Sequence, residues 1–235
     1  MRRILMLAIL ASVFTSSYSQ KDNDKKKIEG SGNVVTKNIT VQSFDQLDVS
    51  GVFSVQLTQG SKEELKIEAD DNLQEYFEVK NEGSKLSVGM KKDVNYSTKS
   101  KMKVYITFKK LSDLDLKTVG NVSSSGNLNF DKLDIDNKSV GNVDLDITAQ
   151  SVKIDNKSVG NVKLSGKADN VIIKNKSVGS IEAANFAVQT MDIDNNGVGS
   201  AEVNAAKELK VKDSFLGKVS NKGAATPKRS VKTVI

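Results

Sequence analysis

Apolar and polar residues alternate with period two along most of this chain, and in the C-terminal half the alternation itself repeats. In Val143, Leu145 and Ile147, and again in Val152 and Ile154, apolar side chains take every second position with polar residues between them. That period predicts half-buried strands rather than helices. A short signature, Val-Gly-Asn-Val or a near copy, begins at Val119, Val140, Val159, Val178, Val198 and Leu216, at spacings of 21, 19, 19, 20 and 18 residues. Ahead of the second, third and fourth copies stand Asp136-Asn137-Lys138-Ser139, Asp155-Asn156-Lys157-Ser158 and Lys174-Asn175-Lys176-Ser177, with a weaker echo at Asp194-Asn195-Asn196-Gly197.

A unit of about 20 residues holding two or three short strands cannot close a core alone, so successive units must stack, each strand pairing in parallel with its counterpart one turn on. The fold class expected is all-β, a right-handed parallel β-helix with about 20 residues per coil in the C-terminal half and longer, irregular coils in the N-terminal half. Val143, Val162, Ile181, Ala201 and Val219 form one expected inward ladder, and Ile135, Ile154, Ile173, Ile193 and Val211 another. Gly120, Gly141, Gly160, Gly179, Gly199 and Gly217 fall at the corners, where backbones approach closely. The leucine-rich horseshoe has a similar period, but its frame of leucines is absent.

Upstream, Leu47 to Val55 aligns with Leu114 to Val122, and strand-like runs follow at Glu64 to Ala69, Lys85 to Met90 and Met102 to Phe108, with a short helical turn near Asn72 to Phe77. The expected organisation is a signal peptide at 1–19, a flexible leader at 20–32, irregular first coils with a cap at 33–118, regular coils at 119–219 and a basic tail at 220–235. The signal peptide is read from Arg2 and Arg3, an apolar run from Ile4 to Phe14 and the small residues Ser17 and Ser19 around Tyr18. That run is shorter than the roughly 18 to 20 residues of a membrane span, and no later one is longer. An extracytoplasmic location without a transmembrane segment is expected, whether periplasmic, surface-bound or released.

Composition narrows the chemistry. Zero cysteines removes thiol catalysis, disulfides and lipid attachment at a cysteine, and zero histidines removes the commonest general base. Of 35 basic residues two are Arg2 and Arg3, leaving 33 against 29 acids, and the excess sits after residue 216. Arg229 is the one arginine beyond the signal, and a neutral body of this kind is not that of a nucleic-acid binder.

The segment Phe44-Asp45-Gln46-Leu47-Asp48-Val49-Ser50-Gly51-Val52-Phe53-Ser54-Val55-Gln56-Leu57-Thr58-Gln59-Gly60, followed by Leu65-Lys66-Ile67-Glu68-Ala69-Asp70-Asp71-Asn72-Leu73 and the glycine-punctuated repeats, resembles the putative auto-transporter adhesin head GIN domain of exported bacterial proteins. The resemblance runs over about residues 33–220. It implies a β-helical fold and an extracytoplasmic location, and it brings no catalytic residues.

Three constellations invite chemistry. Asn137, Asn156, Asn175 and Asn195 recur at equivalent turns and are read as a structural ladder of stacked amides. The first three also sit in Asn-Lys-Ser sequons, which the repeat itself generates. Asp134, Asp136, Asp144, Asp146, Asp155, Asp192 and Asp194 could supply oxygen ligands for calcium, but alternation places them on an outer, lysine-interspersed face. Two such aspartates could also meet the carboxylate spacing of a glycosidase, yet the repeats hold no Trp, Tyr, Arg or His to bind a sugar. The expectation is a non-catalytic binding or adhesion module with no metal and no cofactor, its partner left open between a cell-surface glycan and a protein. The alternatives are a structural protein of the envelope and a polysaccharide-acting enzyme.

Overall fold

A computed structural model describes residues 26–214 and 216–230; the signal peptide expected at 1–19 lies outside the described residues, as do 20–25 and 231–235. The chain is a β-solenoid of about six regular turns, about 20 residues apart. Each regular coil is one long strand bent around the column: Leu128–Asn137, Val143–Asn156, Val162–Asn175, Ile181–Asn195 and Ala201–Asp213 pair in parallel, each with the next.

Register follows from which side chains must be inside. Val143 pairs with Val162, Val162 with Ile181, Ile181 with Ala201 and Ala201 with Val219. Ile135 pairs with Ile154, then Ile173, Ile193 and Val211 in turn. All ten are buried in a single continuous core. A slip of one residue would turn every one of them to solvent, and each buried side chain is worth about 1.5–3 kcal/mol. The spacing of 19 residues between Val140, Val159 and Val178 matches straight pairing of the strands between them. The spacing of 20 to Val198 is absorbed by an irregularity in Ile181–Asn195, where Lys163 pairs with Glu182 but Ser165 pairs with Asn185.

The first coils use the same two ladders in a different order. Gln46–Gly51 pairs in parallel with both Lys85–Met90 and Asp113–Thr118, and Ser54–Gln59 pairs in parallel with both Lys103–Phe108 and Val122–Ser124. Leu47 therefore sits between Leu86 and Leu114, and Val55 between Val104 and Val122. The coil that comes first in sequence is second in space. Segments 60–84 and 91–102 are long enough to carry the chain to the far side and back.

Antiparallel strands close that end. Glu64–Asp70 lies antiparallel to Lys103–Phe108, Val34–Ile39 antiparallel to Glu64–Asp70, and Phe77–Glu82 antiparallel to Lys85–Met90. Between them a 3-10 turn at Asp71–Tyr76 buries Leu73. The parallel ladders at this end are thereby continued by antiparallel strands, and Val34–Ile39 and Phe77–Glu82 become the edge strands of the sheet. Within the stretch expected as a leader, Lys26–Glu29 forms a strand paired in parallel with Val94–Ser97. Within the expected tail, Pro227–Arg229 pairs with Ala201–Asp213 and completes a final coil.

Candidate functional site

At each corner the chain carries the repeated signature, and its inward side is polar. The Asn137 Nδ2 donates to Asn156 Oδ1 at 2.8 Å, Asn156 Nδ2 to Asn175 Oδ1 at 2.8 Å, Asn175 Nδ2 to Asn195 Oδ1 at 2.6 Å, and Asn195 Nδ2 to the Gly217 carbonyl at 2.7 Å. Two residues on from each of the first three, a buried serine hydroxyl donates to the same amide oxygen: Ser139 to Asn137 at 2.5 Å, Ser158 to Asn156 at 2.9 Å and Ser177 to Asn175 at 2.8 Å. The amide oxygens of Asn156 and Asn175 therefore each accept twice, once from the neighbouring coil and once from their own serine. Buried amides without such partners would each cost about 1–3 kcal/mol.

A second amide column, on the outer side, was not singled out from the sequence. Asn121 Oδ1 accepts the Asn142 backbone N–H, Asn142 Oδ1 that of Asn161, and Asn161 Oδ1 that of Ser180, each at 3.0 Å. The asparagine in each Val-Gly-Asn-Val copy was the available signal, since it recurs at a corner where backbone donors lose their strand partners. Between the two columns the glycine backbones stack. Gly120, Gly141, Gly160, Gly179 and Gly199 have φ from +133° to +153°, and a Cβ on Gly160 would lie 2.3 Å from the Gly141 carbonyl oxygen. Gly217 is equally confined, a Cβ there meeting the Asn195 carbonyl oxygen at 2.7 Å.

Five of the seven outward aspartates pair with a lysine, Asp194 with Lys212 at 3.4 Å, while Asp146 accepts a hydrogen bond from Asn127 Nδ2 at 2.7 Å. Asp136 pairs with Lys138 at 2.5 Å, Asp155 with Lys157 at 2.9 Å, Asp144 with Lys163 at 3.0 Å and Asp134 with Lys132 at 3.2 Å. Such exposed pairs contribute little stability individually. Among the described residues no group of three or more acidic side chains is gathered closely enough to hold a metal ion.

A concavity lies at the opposite bend, where the long strands turn from one face to the next. It is a groove of about 850 Å³ crossing several coils, floored by Phe130, Ala149 and Ala168 and walled at one end by Leu111. Lys109, Lys110, Lys132 and Lys167 stand along it with Asp131 and Asp169. Lys109 is held by Glu63 at 3.1 Å, and Lys132 by Asp134, whereas Lys110 and Lys167 have no carboxylate partner among the described residues. Gln59 fixes the wall: its Nε2 donates to the Asn129 carbonyl at 2.9 Å and its Oε1 accepts the Asn129 N–H at 2.7 Å. Phe108 stacks on Phe130 beneath, with ring centroids 6.0 Å apart. The groove can offer an apolar floor and the ammonium groups of Lys110 and Lys167 to a ligand.

Comparison with known proteins agrees with this architecture. The crystal structure of a putative adhesin from Bacteroides fragilis NCTC 9343 is 31% identical and superposes with a TM-score of 0.74 over 86% of this chain and all of that one. A putative lipid binding protein from Parabacteroides distasonis ATCC 8503, 17% identical, shares the fold with a TM-score of 0.61 over 88% of this chain and all of that one. A putative adhesin from Parabacteroides merdae ATCC 43184, 20% identical, does so with a TM-score of 0.54 over 88% of this chain and all of that one. No curated protein matches the sequence. The family model described as putative auto-transporter adhesin, head GIN domain, matches residues 43–225, more than three quarters of the chain. The chain belongs to that family, the putative auto-transporter adhesin head GIN domain.

Proposed function

We propose that this chain is an extracytoplasmic, non-catalytic binding or adhesion module, and that its ligand occupies the groove floored by Phe130, Ala149 and Ala168. The observation that carries the reading is the groove itself: an apolar floor extended across coils, with Lys110 and Lys167 beside it lacking a carboxylate partner among the described residues. Ammonium groups with no carboxylate partner among the described residues are placed to meet anionic or hydroxyl-rich groups of a surface glycan or protein. The adhesin description of the family and of the Bacteroides fragilis relative supports a binding role. The sequence signature at residues 1–19 supports export.

The test is a glycan array, with parallel pull-downs from bacterial and host surface material, using the mature protein and a Lys110→Ala/Lys167→Ala variant. Saturable binding that falls about tenfold or more in the variant is expected for contacts of this kind. Binding unaffected by the variant would move the site elsewhere. A clean negative across the array and the surface material would favour a structural role in the envelope.

A further inference from the structure

The first residue of each signature points outward, away from the core and from the groove. Val119, Val140, Val159, Val178 and Val198 bridge one another in parallel, and each is about half exposed. Val52 continues the line at the capped end, 46% exposed, and Leu216 at the other, 61% exposed. Single exposed valines need no explanation, but a stacked column of them is a contiguous apolar ridge. Six steps of about 4.8 Å make it roughly 29 Å tall.

The two flanks of the ridge differ in charge. Lys117, Lys138, Lys157 and Lys176, two residues before the ridge positions, are exposed on one side. On the other side come Asn121, Asn142, Asn161, Ser180 and Ser200, and beyond them Asp144, Lys163, Glu182 and Glu202. Lys138 and Lys157 are turned back onto their own Asp136 and Asp155. In the next coil that aspartate is replaced by Lys174, so Lys176 has no carboxylate partner among the described residues. In the same coil, Glu182 accepts a hydrogen bond from Asn161 but has no cation within ion-pair distance among the described residues.

We infer that the valine ridge is the contact face between two copies of this chain, lying side by side with their columns parallel and a two-fold axis along them. A second copy has the same axial repeat, so two ridges stay in step over their whole length, as in a dry zipper of identical side chains. With the two-fold along the column, the lysine flank of each copy faces the amide and acidic flank of the other. Lys176 then meets the partner copy's acidic flank at the height of Glu182, twice by symmetry. Columns running in opposite directions would set lysines against lysines. This inference is independent of the groove.

The absence of native cysteines makes the test direct, because a single introduced thiol has only its own copy to find. Under the parallel two-fold, Val119→Cys and Val198→Cys, four steps apart along the ridge, should each give a disulfide-linked homodimer on mild oxidation, while Lys153→Cys on another face should not. Light scattering should give twice the monomer mass at about 100 µM, a concentration that fills a dimer of micromolar affinity. Val159→Lys should shift the protein to monomer with an unchanged circular dichroism melt. A monomer at that concentration without cross-linking overturns the inference. So does cross-linking of the Val119 thiol only to the Val198 thiol in mixed samples, which would mean antiparallel columns. Dimers indifferent to Val159→Lys overturn it as well, and so does a monomer that binds lipid vesicles through an intact ridge.

Discussion

Leu116 lies directly beside Asn137 across the parallel pairing of neighbouring coils, at the level where the buried amide column stops. Two residues on, the Thr118 hydroxyl occupies the place of Ser139 and is buried with no hydrogen-bond partner among the described residues. The serine hydroxyls in the following coils are satisfied by the amide oxygen two residues back, and Leu116 has none to give. Leu116→Asn should therefore be tolerated within about 1 kcal/mol although it puts an amide into the core, because its oxygen can accept from Thr118 and its nitrogen can reach Asn137. Leu114→Asn, one inward position earlier, has no such partners and should cost about 4 kcal/mol. Urea melts of the two variants check it; equal losses would mean the column cannot be extended.

Burial at Val162 and exposure at Lys163 set a second contrast. Val162 is buried between Val143 and Ile181, and an unpaired carboxylate there would cost several kcal/mol. Val162→Asp should prevent folding or depress the melting temperature sharply. Lys163→Asp should leave the melt nearly unchanged, since the Lys163–Asp144 pair is solvent-exposed. Circular dichroism melts decide it, and equal tolerance at both positions would contradict the stacking.

Two glycines with positive φ separate conformational strain from steric exclusion. Gly126, at φ +82°, has nothing within 4 Å of the place a Cβ would take, so Gly126→Ala should cost about 1–2 kcal/mol from the backbone alone. At Gly160 the same methyl would collide with the Gly141 backbone of the coil below. Gly160→Ala should cost at least about 3 kcal/mol, read in urea melts, because that backbone is itself held in the stack.

Stability should be flat across the neutral range and fall in acid. The chain has no histidine to titrate between about pH 5 and 8. At Asp213 burial pushes the carboxyl up, but hydrogen bonds from Arg229 and the Val219 N–H, together with the Arg229 charge, outweigh it and hold the group below its ordinary 3.8. Glu63 is likewise held below 4.5, chiefly by the Ser43 hydroxyl and, against some desolvation, by Lys109. A depressed folded-state value means that the stabilisation is present above the unfolded value and is lost as pH falls through the folded one. The loss belongs below about pH 4.5. Arg229→Gln should remove Asp213 from it, and an identical acid limb in melts from about pH 2 to 9 would show that the pair contributes nothing.

The regular coils were legible because period and repeat length together fix both face and neighbour. Val143 had to lie inside, and 19 residues on only Val162 could lie beside it. Counting back in twos from Val143 through Gly141 and Ser139 to Asn137 also leaves Val140 outside, so the ridge was written in the parity of the chain. The order of the first coils was not legible. Alternation says which way Leu86 points but not whether it stacks above or below Leu47, and the long segments 60–84 and 91–102 permit either. The groove was equally hidden, because Lys110 and Lys167 are 57 positions apart and come to line one groove only through the winding of the column.

That inverted order has a bearing on how the molecule comes into being. The strands Gln46–Gly51 and Ser54–Gln59 are sandwiched on both sides by segments that follow them in the chain, the last ending at Ser124. Until residue 124 has emerged, the earliest coil lacks a neighbour on one side or both. From Leu128 onward each coil needs only the finished one beneath it. Contacts this distant in sequence are expected to make the founding coils the slow step of folding, with each later coil added onto a finished one, and synthesis from the N-terminus delivers the parts in that sequence.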